Sequence, residues 1–138
     1  MPRISKTQLI AAALIARQNA VAPYSNFQVG AALLARSGEV FHGANVESAS
    51  YGLTCCAERI ALFKALTEGR RDFIAIAIVA RAPHGPMPCG ACRQLLAEYA
   101  PRALVFVADS DRPSRIRRFE MDALLPGAFL TVPTAPAR

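Results

Sequence analysis

The chain has 138 residues, 53% of them hydrophobic and 19% charged, and a formal net charge of +6 at pH 7. That length suits one domain, residues 1–138, able to bury most of its unfolded surface around a single core, and the composition is far from that of disorder. No apolar run approaches the roughly 18 residues of a membrane span. The 16 lysines and arginines are spread along the chain, so an ordinary solvated surface is expected and neither a membrane nor a nucleic acid as partner.

The opening "MPRISKTQLI" lacks the charged region, apolar core and small-residue cleavage site of a secretory signal, so a cytoplasmic location is expected, with the four cysteines as thiols or metal ligands. Ser5 and Gln8 have capping-box spacing and Ile4 and Leu9 that of a hydrophobic staple, which predicts a first helix from about Lys6 to Asn19. After "VAPYSN", the runs "FQVGAALLA" and "VFHGANVE" flank "RSGE" and read as a strand hairpin. "CAERIALFKALTEG" reads as a helix stopped by Gly69, and "FIAIAIVA" as a strand buried on both faces. "APHGPMPCGAC" is loop, "CRQLLAEYA" a helix ending before Pro101, and "ALVFVA" another buried strand. "SRIRRFEM" suits an edge strand whose arginines discourage sheet-to-sheet pairing, and "MDALLP" a last helical turn before a proline-rich tail. This order implies an α/β fold: three α/β/α layers around a mixed sheet of about five strands.

The chemistry centres on cysteine. Cys89 and Cys92 form C-x-x-C at a predicted helix start, where unpaired amides and the helix dipole favour the thiolates that a metal needs. A redox dithiol has the same spacing. Cys55, Cys56 and Glu58 open a second helix, so the fold can bring two helix tips together with three or four thiols and a carboxylate between them. Adjacent helical residues diverge by about 100°, which disfavours Cys55 and Cys56 gripping one ion. Three ligands leave a fourth position open for water, whereas four thiolates close a site and make it structural. Geometry alone leaves open which of the two adjacent cysteines is the ligand.

"PYSNFQVGAAL", "GANVESASYG", "CAERIALFKA", "PCGACRQ" and "LLPGAF", in this order, resemble segments of the zinc-dependent nucleoside deaminases, specifically the small homotetrameric cytidine deaminases. Cysteine stands here where the wider class has the histidine of H-x-E before P-C-x-x-C, a three-cysteine variant, and the mechanism is carried over from that class. The resemblance implies one zinc per chain on Cys56, Cys89 and Cys92, with Cys55 outside the site. It implies Glu58 as the proton carrier while hydroxide attacks C4 of cytosine, and a role in pyrimidine salvage. Three thiolates around Zn(II) leave a net charge of −1; the helix tips and Arg59 can offset it, and in the resembling family an arginine at this place donates to the cysteine sulfurs.

If residues 40–47 are a strand, Asn45 and Glu47 project from one face and offer an amide donor and a carboxylate acceptor that suit a sugar hydroxyl. In the resembling family they hold the ribose 3′-hydroxyl. Such a carboxylate repels phosphate and no glycine-rich phosphate loop is present, which favours a free nucleoside as the small-molecule substrate. By resemblance Phe27 packs against the substrate, Ala49 and Tyr51 complete the sugar pocket, and Phe129 reaches the pyrimidine of a neighbouring subunit, so that active sites are shared within a homotetramer. Ser48 departs from the asparagine frequent in that family, as does Cys55 from its usual text. His42 and His84 are read as surface or loop residues. The competing readings are a deaminase of a cytosine-nucleoside antibiotic such as blasticidin S and, from another class, a zinc-stabilised RNA-binding module using "RPSRIRRF".

Overall fold

A computed structural model describes residues 4–133. The first helix, α1 (Lys6–Arg17), opens on the expected capping box: Gln8 N donates to Ser5 Oγ at 3.1 Å and Ser5 N to Gln8 Oε1 at 2.8 Å. It buries Leu9, Ile10, Ala13 and Ala16, one stripe at helical spacing. It ends two residues before the expected Asn19. The N–H groups of Gln18, Asn19 and Ala20 donate instead three residues back, to Ile15, Ala16 and Arg17, a tightening common at helix ends.

Five strands form one sheet in the order β2-β1-β3-β4-β5: β1 (Val29–Ala35), β2 (Val40–Ala44), β3 (Phe73–Ala80), β4 (Leu104–Asp109) and β5 (Arg117–Glu120). Only β3 and β4 pair in parallel; the other three pairs are antiparallel, so the sheet is mixed, as expected. β3 and β4 are almost continuously buried because helices cover both faces, while β5 lies at an edge with Arg117 and Arg118 exposed. On one face α1 packs with Ala32, Leu34, Ala77 and Val79. On the other, α2 (Ala57–Thr67), α3 (Gly90–Tyr99) and the short α4 (Met121–Leu124) cover Leu33, Ile76, Ile78, Val105 and Val107. Gly69, with φ +88°, follows α2 where expected. The proline-rich tail expected beyond α4 lies mostly outside the described residues.

Both predicted hairpin strands are shorter than expected, for one reason. Asn45 turns its amide onto the chain entering β1: Oδ1 accepts from Val29 N and Nδ2 donates to Phe27 O, both at 2.8 Å. A side chain thus stands in for a ladder partner, and the strands begin and end beside it. Beyond it Val46 bridges Cys55 on one side and Val21 on the other.

The topology brings two helix tips together. β2 and β3 both run antiparallel to β1 and so point the same way. α2 follows β2, α3 follows β3, and both helices lie on the same face, so their N-termini meet at one end of the sheet. Gly43 fixes how closely: a Cβ there would fall 2.2 Å from the Ala57 carbonyl oxygen, so only glycine lets the first turn of α2 sit on β2.

Candidate active site

Cys56 and Cys89 are the N-cap residues of α2 and α3, with the extended backbone of an N-cap, yet neither side chain caps its helix. Serine, aspartate or asparagine would normally sit there and accept from the helix amides. The sulfurs point toward each other: Cys89 Sγ lies 3.5 Å from Cys92 Sγ and 3.8 Å from Cys56 Sγ, and all three fall within 4.8 Å of one another. Two Zn–S bonds of about 2.3 Å at a tetrahedral angle span about 3.8 Å, so the donor set fits zinc in spacing as well as in chemistry. Cys55 is outside this group; its backbone is committed to the bridge with Val46, and burial pushes its thiol up. The choice left open between the adjacent cysteines is made by the N-cap: Cys56 turns into the cluster and the Cys55 backbone pairs with Val46.

The electrostatics of the cluster are uneven. Cys56 is drawn down to about 5, chiefly by a hydrogen bond from the Cys92 thiol and then by Arg59, whereas Cys92, bonded to that sulfur and buried, is pushed up. Three thiols this close cannot all ionise without a cation between them. Arg59 Nη2 donates to Cys56 Sγ at 3.3 Å, and that contact, first among its causes, raises the guanidinium pKa further. Its Nε is buried and has no partner among the described residues. Glu58, on the same first turn, is 5% exposed; burial foremost, with the Cys56 sulfur acting the same way, lifts its carboxyl to about 7. A carboxyl that exchanges its proton near neutrality beside a three-sulfur cluster can serve as general acid and base.

The chain belongs to the zinc-dependent cytidine and deoxycytidylate deaminase family. A model of that family, described as the cytidine and deoxycytidylate deaminase zinc-binding region, matches residues 4–108. A cytidine deaminase of Halalkalibacterium halodurans is 53% identical over 126 residues, 91% of this chain and 95% of that protein. The crystal structure of a cytidine deaminase from Burkholderia pseudomallei superposes with a TM-score of 0.88 at 49% identity, covering 91% of this chain and all of the other. A blasticidin-S deaminase of Bacillus cereus matches less, 35% over 88 residues, 57% of this chain and 62% of that protein. As in the family description, the site is one for zinc.

The residues expected to meet a substrate are divided by the structure. A cavity of about 310 Å³ is lined by Tyr24, Ser25, Glu47, Ser48, Tyr51 and Thr54, so Glu47, Ser48 and Tyr51 come together. Phe27, Ala49 and Phe129 do not line it and are exposed. Glu47 Oε1 accepts from Tyr24 N at 3.0 Å and Ser25 N at 3.1 Å, and Oε2 accepts from the Ser25 hydroxyl. These bonds, that of the Ser25 side chain first, hold its carboxyl below the usual range. Asn45 and Glu47 both turn toward the 24–29 segment, as alternation along one extended strand requires. Asn45 is bound there on both sides of its amide and keeps a single N–H unengaged.

Some supports were not legible in sequence. Ser25, which binds Glu47 and accepts from Phe27 N, sits in a turn whose neighbour Asn26 has φ 57°. Thr54 accepts from Ser48 N. Arg93 Nε donates to Pro88 O at 2.8 Å and Nη1 to Leu124 O at 3.0 Å, which ties the turn before Cys89 to α4. Gln94 Nε2 donates to Phe129 O at 2.6 Å and holds the C-terminal segment against α3. The run "CRQ" was the available signal, because polar side chains in the first turns of a helix beside metal ligands commonly fix what surrounds them. His42 is exposed and offers only its carbonyl, to Lys64 Nζ; His84 lies in a different cleft.

Proposed function

We propose that the chain catalyses hydrolytic deamination of cytidine and 2′-deoxycytidine to uridine and 2′-deoxyuridine, releasing ammonia, with one zinc held by Cys56, Cys89 and Cys92. The observation that carries this reading is the trio of thiols at two helix tips with the buried Glu58 carboxyl in the first turn of α2. Zinc, when bound in such a three-ligand site, supplies a nucleophile from water at neutral pH. Glu58 takes a proton from the attacking water and delivers it to N3 of the ring. It then carries a proton to the amine at C4, which leaves as ammonia. A carboxyl near 7 is matched to both directions of transfer. Arg59 steadies the Cys56 sulfur and offsets the excess negative charge of three thiolates.

Glu47 is the acceptor for a ribose hydroxyl, the free N–H of Asn45 a donor, and Tyr51 a wall of the same pocket. The lowered carboxyl of Glu47 keeps a negative charge there that disfavours a phosphorylated substrate. Phe27 and Ala49 border the base and sugar from the exposed rim. Tyr51 is 78% exposed and Phe129 63%, with Leu53 and Val132 also open, an apolar surface that favours burial against further copies of the chain. A homotetramer in which Phe129 reaches a neighbour's pyrimidine satisfies it, with residues 1–138 as one catalytic domain per subunit. The four unpaired cysteines suit the reducing cytoplasm, where the enzyme would recycle pyrimidine nucleosides. No helix among the described residues is long and apolar enough to cross a membrane.

The test is zinc content and ammonia release measured on one preparation, against cytidine, 2′-deoxycytidine and blasticidin S. One zinc per chain with turnover of the two nucleosides is the expected result. Turnover of the antibiotic alone would reassign the substrate, and sedimentation as a monomer with full activity would remove the shared-site assembly.

A further inference from the structure

We infer that the cleft between the loop after β3 and the loop after β4 is a binding site for a phosphate dianion, free or as the head group of a small phosphomonoester. The cleft encloses about 400 Å³; Arg112, Arg115 and Arg117 border it, with His84 and Asp109 in the same lining. Elsewhere Arg36, Arg70, Arg81 and Arg118 each pair with a carboxylate. Among the described residues the three cleft arginines form no ion pair, although they face one concavity, where like charges repel unless an anion lies between them. Asp109 is the lone carboxylate of the lining, and its Oδ1 already accepts from Asp111 N at 3.0 Å. Three guanidiniums against one carboxylate leave two positive charges, the complement of a phosphate dianion.

Arg117 is held in advance, and the backbone that carries Arg112 and Arg115 is fixed. Arg117 lies over the Phe119 ring, 5.0 Å from its centroid. Tight turns from Asp109 to Arg112 and from Arg112 to Arg115 close through backbone bonds of 2.9 and 3.1 Å. The space exceeds what a bare phosphate fills and lies in the range of small-ligand pockets, which leaves room for an organic group on the ester oxygen. A single-stranded nucleic acid would need an open groove with a run of stacking rings, whereas this lining offers the His84 imidazole alone and the adjoining Phe119 ring is covered by Arg117. The cleft shares no lining residue with the zinc cluster or with the cavity at Glu47.

The experiment is calorimetric titration of the zinc-loaded enzyme at low ionic strength with inorganic phosphate, with uridine 5′-monophosphate and with a short single-stranded RNA. The expected result is phosphate binding at about millimolar Kd or tighter, weakened about tenfold or more in Arg112→Ala/Arg115→Ala. Zinc content and cytidine turnover should stay unchanged in that variant. Arg36→Ala/Arg70→Ala, which removes equal charge near the opposite end of β3, should shift Kd by no more than about twofold, as screened distant charges do. An arginine-dependent component that is tighter for the nucleotide than for phosphate assigns the site to a phosphomonoester; equal affinities assign it to free phosphate. No phosphate binding, equal loss in both double variants, or arginine-dependent binding of RNA alone overturns the proposal.

Discussion

Glu58→Gln should move stability and activity in opposite directions. The folded carboxyl titrates at about 7 against an ordinary 4.5, mainly because burial penalises its charge. A carboxyl raised on folding binds its proton more tightly in the native state, so its contribution is fully present below pH 4.5 and is lost as pH rises through 7. A displacement of that size corresponds to about 3 kcal/mol. In zinc-free protein, the stability difference between Glu58→Gln and wild type should therefore grow in favour of the variant by about 3 kcal/mol between mildly acid and mildly alkaline pH. Urea unfolding across that range on chelated samples measures it. The thiols respond to the same change, because the Glu58 charge also raises Cys92, while the lowered Cys56 contributes fully above its ordinary 9.0 and loses that contribution as pH falls through about 5. The zinc-loaded variant should keep its metal and lose about 10²- to 10⁴-fold in kcat, the usual worth of a positioned acid–base group. Parallel stability curves for the two proteins, or a variant that still turns over cytidine, would refute the reasoning.

Cys55→Ala should retain zinc and turnover, because its sulfur lies outside the cluster and its backbone is bonded to Val46; metal loss on this change would move the ligand assignment by one residue. Cys56→Ser should bind zinc poorly, and chelation should lower the melting temperature of wild type but not of this variant, as binding to the native state alone requires. Arg59→Ala should leave zinc in place, reduce kcat, and raise the pH at which Cys56 of the zinc-free protein is alkylated, the Cys92 hydrogen bond remaining as its principal stabiliser; an unchanged alkylation profile would count against the contact. Gly43→Ala should destabilise the fold by about 1–3 kcal/mol, as overpacking does, and weaken zinc binding through α2, both readable by calorimetry. Lost stability with unaltered zinc affinity would show that the two helix tips are not coupled through this contact.

What the sequence disclosed follows from the range of the interactions involved. The capping box at Ser5, the αL stop at Gly69 and the apolar runs of β3 and β4 are local, and each element stands where those signals put it. The metal cluster was legible because its geometry is carried by two helix starts, each a local signal, and the resemblance joined them. What escaped depends on side chains that bond distant backbone. Asn45, read as a strand residue with a free amide, is spent largely on Phe27 and Val29, 18 and 16 residues away. Ser25 and Arg93 reach Glu47 and Leu124 over comparable or longer separations. No periodicity or cap marks such residues before the chain is folded.

The placement of cysteine at both N-caps joins fold and chemistry. An N-cap is where a short oxygen-bearing side chain does most for a helix, and replacing one by a non-capping residue costs about 0.5–2 kcal/mol. At Cys56 and Cys89 that contribution is forgone twice, since neither sulfur accepts from its helix amides. The amides left open keep the positive end of each helix dipole at the thiolates, and the parallel run of β2 and β3 aims both dipoles at the same point. Glu58 then has to follow within the first turn, because only there is it close enough to the cluster to act on it and deep enough for burial to raise its carboxyl. The same two helix tips that would be better capped in a purely structural domain thus set the metal's ligands, their charge and the proton carrier's pKa together.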